Sequence, residues 1–152
     1  MEQTLTAVCG HINNHFIRTI ERGNFVISSG IINAKEKYLT GQYILVRGSI
    51  LSDGIYRVND GLIALDGAAD EAFSGVICGL AIPKNFVEVV QSIEVFQTAA
   101  ANDKSGGKYI SESWGGWAGA RATNSKGMIA GWEETFAETL NKWRRMYSEV
   151  IL

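Results

Sequence analysis

Apolar residues recur at helical spacing in three stretches of this chain and at strand-like spacing in one. Near the start, Leu5, Val8, Cys9, Ile12 and Phe16 fall on one helical face, which predicts a helix over residues 4–16 with Thr4 as its N-cap. Gly10 weakens that helix by about 1 kcal/mol relative to Ala, so it relies on packing. From residue 24 to 82 the period changes. Phe25-Val26-Ile27, Gln42 to Arg47, Ile55 to Val58 and Leu62 to Leu65 are short β-prone runs separated by Gly30, Gly48-Ser49, Asp53-Gly54 and Asp60-Gly61. Strand-length runs closed by Asp-Gly turns predict an antiparallel meander, with Gly54 and Gly61 supplying positive φ. Val76 to Ile82 is continuously apolar, which predicts a strand buried on both faces.

Pro83 opens a second helix that runs to about residue 101. Phe86, Val89, Val90, Ile93 and Phe96 mark its buried face, and Glu88, Gln91 and Glu94 the opposite one. Residues 102–108 are small, polar and Gly-rich, which predicts a mobile loop. Tyr109 to Thr123 carries two large aromatics around Gly115-Gly116 and is expected to form an extended arm or hairpin. The last helix is predicted over residues 131–147, with Trp132, Phe136, Leu140 and Trp143 on one face. Glu133 and Glu134 in its first turn and Arg144 and Arg145 in its last complement the helix dipole. The expected fold class is therefore α+β. A small antiparallel core of three main helices carries a β-meander insert at 24–82 and an extended arm before the C-terminal helix, in one domain over 1–152.

Composition narrows the function. The chain is 46% hydrophobic and 20% charged with a formal net charge of −2, too apolar and too neutral for a disordered protein. A pI near 5.7 supplies no basic footprint for nucleic acid. No apolar run is long enough to span a bilayer, and the first residues lack the basic and apolar regions of a signal peptide. Cys9 and Cys78 are expected to be reduced, buried residues of a protein made in the cytosol. The 17 glycines against one proline point to several tight turns and a segment that holds its shape poorly alone.

A search for chemistry finds no specific set. His11 and His15 have the spacing of a zinc-binding helix, but Ile12 stands where the carboxylate base belongs and there is no third ligand. Asp66, Asp70 and Glu71 lack the calcium-loop pattern and are expected to form a solvated acidic loop. Gly106-Gly107 and Gly115-Gly116 have no following Lys-Ser/Thr, and Ser113 lacks the glycine of a nucleophile elbow. No catalytic, cofactor or metal residue is assigned, and the expectation is a protein that is not an enzyme. The tryptophans stand out instead. Trp132 and Trp143, with Phe136, read as core, whereas Trp114 and Trp117 read equally as core or as interface anchors on an extended segment. The candidate interaction residues are Tyr109, Ser111, Glu112, Trp114, Trp117, Arg144 and Arg145.

The order of elements and the arm Tyr109-Ile-Ser-Glu-Ser-Trp-Gly-Gly-Trp resemble the head–tail connector (adaptor) proteins of tailed phages and prophages of Gram-positive bacteria. Gly41-Gln42-Tyr43, Gly48-Ser49 and Asp53-Gly54-Ile55-Tyr56 also look like a turn motif of phage neck proteins. Ser52 departs from the Asn usual before the Asp-Gly, and Ala118-Gly119-Ala120 from the hydroxyl residues common after the aromatic. The resemblance implies a structural virion protein at the head–tail interface, made in the host bacterial cytoplasm. Its implied partners are the portal protein, neighbouring copies in a ring that is dodecameric in the family, and a stopper or tail-completion protein. DNA would pass through the lumen without sequence-specific binding, and no membrane is involved. The alternatives are a head-completion stopper, a tail-completion protein, or a small non-catalytic binding module using the Gly-rich β insert.

Overall fold

The structure is a computed structural model, and it describes residues 1–33, 37–102, 111–114, 117–120 and 131–147. A helix α1 (Glu2–His11) leads into strands β1 (Ile17–Ile27), β2 (Ile31–Asn33), β3 (Tyr43–Arg47), β4 (Gly54–Asn59), β5 (Leu62–Ala64) and β6 (Glu71–Leu80). The long helix α2 (Lys84–Asn102) follows, then strands β7 (Ser111–Trp114) and β8 (Trp117–Ala120) and two short helices, α3 (Trp132–Thr135) and α4 (Ala137–Leu140).

Six strands form one antiparallel sheet in the order β1-β6-β3-β4-β5-β2. Its two end strands meet again at the Ser28–Ile31 bridge, so the sheet curls into a half-barrel. Two tight turns set this curl. Ser29 and Gly30 (φ 52° and 72°) join β1 to β2, and Asp60 and Gly61 (φ 48° and 73°) join β4 to β5. Two central residues with positive φ match the right-handed twist of the strands they connect.

The expected three-helix core with a β insert is not what forms: the sheet is the body and the helices cover it. Strand β3 explains why. Ile44 and Val46 point into the half-barrel with Ile27, Ile32, Val58, Ile63, Leu65, Phe73 and Ile77. Leu45, between them, points the other way, into a second core with Ile55, Cys78, Leu80 and the apolar faces of α1, α2 and α4. A strand apolar on both faces needs cover on both faces. The curled sheet supplies one layer and the helices the other.

Element bounds also shift for local reasons. The first helix starts at Glu2, with Thr4 inside it rather than capping it: the Leu5 N–H donates to the Met1 carbonyl at 2.9 Å, and the Met1 ammonium is held by Glu94 of α2 at 2.6 Å. It ends at His11, not residue 16, since Asn13 takes φ 55° and stops the helix. The freed residues 17–23 belong to β1, which precedes the predicted start of the β region. Pro83 lies just before α2 and its carbonyl accepts the first helical bond from Val87. The predicted C-terminal helix over 131–147 breaks into α3 and α4 at Phe136 (φ −102°), and among the described residues no helix continues past Leu140. Among the described residues, no helix is long and apolar enough to cross a membrane.

Candidate interaction surface

The arm of the sequence analysis is a hairpin. Ser111, Glu112, Ser113 and Trp114 pair with Ala120, Gly119, Ala118 and Trp117 as a two-stranded sheet separate from the six-stranded one. Its register puts Trp114 directly opposite Trp117. Tyr109, the first of the candidate interaction residues, and the loop predicted as mobile from residue 103 onward lie outside the described residues.

Arg144 and Arg145 sit beyond α4 and act on a different helix from the one expected. Arg144 Nη1 donates to the His11 carbonyl at 3.0 Å, at the C-terminal end of α1, and its Nη2 lies 2.8 Å from His11 Nε2. The Arg145 N–H donates to the Ile12 carbonyl at 2.9 Å, and Asn14 Nδ2 donates to the Trp143 carbonyl at 2.8 Å. These bonds fasten the C-terminal segment to the end of α1, where orphan carbonyls need donors. Both arginine side chains are otherwise exposed. His11 also packs edge-on against Trp132 at 5.3 Å, while His15 lies 3.5 Å from Arg47 Nη2. Among the described residues, no three His, Cys, Asp or Glu side chains come together as a metal site. Cys9 and Cys78 are both at 0% exposure and form no disulfide.

The acidic stretch 66–71 is employed in holding loops, not merely solvated. Asp70 Oδ1 accepts the Ser29 N–H at 2.6 Å. Glu71 clasps the loop between β3 and β4: its Oε1 accepts the Ile50 N–H at 2.8 Å and its Oε2 the Ser49 hydroxyl at 2.6 Å. Ser49 Oγ in turn accepts the N–H groups of Leu51 and Ser52, at 3.3 and 2.8 Å. The Ser49 N–H donates to Asp53 Oδ1 at 2.9 Å, and Tyr56 donates to the Ser52 carbonyl at 2.9 Å. Gly48 starts the loop at φ 101°. Gly54 does not take positive φ; it opens β4, so Asp53-Gly54 is not the tight hairpin turn expected. Instead the loop is a wider knob whose backbone N–H groups turn inward. Its tip, Ile50 and Leu51, is left 87% and 77% exposed.

The Ile50 N–H, followed by the Ser49 hydroxyl, holds the Glu71 carboxyl below the usual carboxylate range. A carboxyl lowered by folding stabilises the fold at pH values above its unfolded pKa, and that contribution is lost as pH falls through the folded one. The knob is therefore expected to stay ordered at neutral pH and to loosen in acid, below the ordinary glutamate value of 4.5. Amide exchange at Ile50 and Ser52 reads this directly. Glu71→Ala should make exchange fast at every pH, and unchanged protection in that variant would rule the clasp out.

A cleft of about 280 Å³ opens where the half-barrel fails to close, between β1 and β2. Phe25, Val26, Ile32, Tyr38 and Ile77 form its apolar lining. Glu21 and Lys37, an ion pair, stand at its rim. Tyr38 reaches both Glu21 Oε2 and the Ile77 carbonyl at 3.4 Å, and burial together with the Glu21 charge pushes its hydroxyl up to about 12.

Neither the knob nor the cleft was singled out in the sequence. The signal for the knob is two adjacent aliphatics between Gly48-Ser49 and Ser52-Asp53-Gly54, too polar a frame for a strand. The clasp itself has no local signature, because Glu71 is 22 residues from Ser49. Compared with known protein families, with curated proteins and with solved structures, the chain matches none.

Proposed function

We propose that this chain is a non-catalytic structural subunit of a tailed-phage neck, a head–tail connector. It would dock beneath the portal as a ring of copies and receive a stopper or tail-completion protein. The three-helix core expected from the periodicity does not form, which removes part of the layout that carried the resemblance, so this reading rests on the arm. The observation that carries it is the β7–β8 hairpin. Two strands of four residues make a sheet of their own, and among the described residues neither pairs with any other strand. A lone two-stranded hairpin is marginally stable in water at best. Its strands supply main-chain donors and acceptors to a neighbouring sheet, and Trp114 and Trp117 supply aromatic anchors. The net charge of −2 suits a conduit, since strong phosphate attraction would hold DNA in place.

Deleting residues 109–123 is expected to leave the half-barrel folded, by circular dichroism and cooperative unfolding, while abolishing incorporation into portal-bearing heads. Normal incorporation of the deleted chain would end the proposal. The β1–β2 cleft favours one other reading, a small binding module that uses the β-rich region as its ligand surface. A gene neighbourhood of portal, capsid and tail genes separates the two.

A further inference from the structure

Ile50 and Leu51 are strongly exposed, yet nothing in their setting is loose. The backbone N–H groups of Ser49, Ile50, Leu51 and Ser52 all end on side-chain oxygens of the same loop or of Glu71. Two consequences follow for a tip built this way. It can be buried against an apolar surface without stranding a donor, the usual cost of burying a loop. It also loses little further conformational freedom on docking, because its geometry is already fixed.

The same chain carries a receptor of the matching size and character. An apolar cavity near 150 Å³ admits one benzene-sized group, so the cleft of about 280 Å³ has room for two aliphatic side chains. Val26 at its lip is itself 61% exposed. The charges correspond as well. Asp53 and Glu71 bond the knob directly and Asp70 precedes Glu71, against Arg47 alone, which lies 3.8 Å from Asp53. The cleft's own charges, Glu21 and Lys37, pair with each other, which among the described residues leaves Arg22, exposed beside it on the strand face it shares with Asn24 and Val26, as the unmatched charge of opposite sign.

We propose that the Ile50–Leu51 knob of one copy seats in the β1–β2 cleft of the next copy. This rests on the ring-forming reading above and names the contact between its subunits. Knob and cleft are different surfaces, so the contact is heterologous, the type that closes into rings.

The test uses two full-length single variants, Leu51→Cys and Val26→Cys, made distinguishable by mass. Cys9 and Cys78 are buried, so the introduced thiol is the reactive one in each. The variants are mixed on the order of 1 mM, enough to populate even a millimolar contact, and oxidised with diamide. The expected result is a disulfide heterodimer in excess of either homodimer, lost when Ile50→Asp is added to the Leu51→Cys chain. Absence of the heterodimer, its persistence with Ile50→Asp, or an equal yield of Leu51→Cys homodimer overturns the contact. Far-UV circular dichroism of each variant establishes that it is folded before oxidation. Cross-linking by a protein that never joins portal-bearing heads would keep this contact and overturn the connector reading. Incorporation into heads without the cross-link would do the reverse.

Discussion

Replacing Phe86 by Ala is expected to cost about 3–5 kcal/mol, a large share of the ~5–15 kcal/mol that holds a domain of this size together. Phe86 is at 0% exposure. Its ring lies 4.8 Å from Phe16 and 5.1 Å from Trp143, edge-on to the latter. It therefore joins three parts of the chain: α2, the link from α1 to β1, and the C-terminal segment. Truncation removes the transfer energy of the ring, leaves a cavity, and forfeits two aromatic contacts worth about 0.5–1.5 kcal/mol each. Urea unfolding followed by tryptophan fluorescence reads the loss, because Trp143 packs against this ring. A loss under about 1 kcal/mol would mean that the C-terminal segment does not pack here as described.

The second large effect is expected at Gly75. A methyl group there would lie 2.2 Å from the Arg47 carbonyl oxygen and 3.0 Å from the Phe73 ring. The obstacle is backbone, so no side-chain rotation relieves it. Gly48 meets Gly75 from β3's end of the same crossing: its added Cβ would come within 2.9 Å of the Gly75 Cα, and its φ of 101° already demands glycine. On β6's other side Gly75 pairs with Gly23 of β1. Three glycines thus form a narrow waist across the sheet. Gly75→Ala should cost about 3 kcal/mol or more, the upper end of overpacking penalties. It should also loosen the knob, because Glu71 lies on the strand that must shift. Gly10→Ala is the control with opposite sign: open space surrounds that position in α1, and the change should stabilise by about 0.5–1 kcal/mol. Equal unfolding midpoints for Gly75→Ala and the parent would contradict the close crossing.

Much of the core was legible. Leu5, Val8 and Cys9 of α1, Ile12 at its C-terminal cap, and Phe86, Val90 and Ile93 of α2 are all at 0% exposure, as their spacing predicts. The Asp60-Gly61 turn and the proline-started helix also follow from local chemistry. What periodicity does not encode is which element encloses which. The run Ile44-Leu45-Val46 is apolar on both faces, and that places β3 at the centre of two cores only once its partners β4 and β6 are known. The early part of β1 was missed for a related reason. Only Ile27 of its eleven residues is buried, so Ile17 to Gly23 shows no alternation to read. For the candidate surface, the arm was visible as a pattern of aromatics and glycines. The knob depends on a carboxylate delivered from the next strand but two, and no short motif announces it.

The pairing of β1 with β6 bears on how the chain reaches its native state. Ile20 faces Cys78, and the whole meander lies between them in sequence. During synthesis β1 has no strand to pair along its length until β6 has emerged, since its contact with β2 is the single Ser28–Ile31 bridge, although the β4–β5 hairpin can zip within microseconds. Closing that long loop before any contact rewards it makes the step slow, in the range of milliseconds to seconds typical of non-local sheets. Through that interval β1 shows two bare edges, with Ile20 and Val26 uncovered. Crowding of nascent chains is then the moment of greatest risk for wrong strand pairing, well before any ring is built.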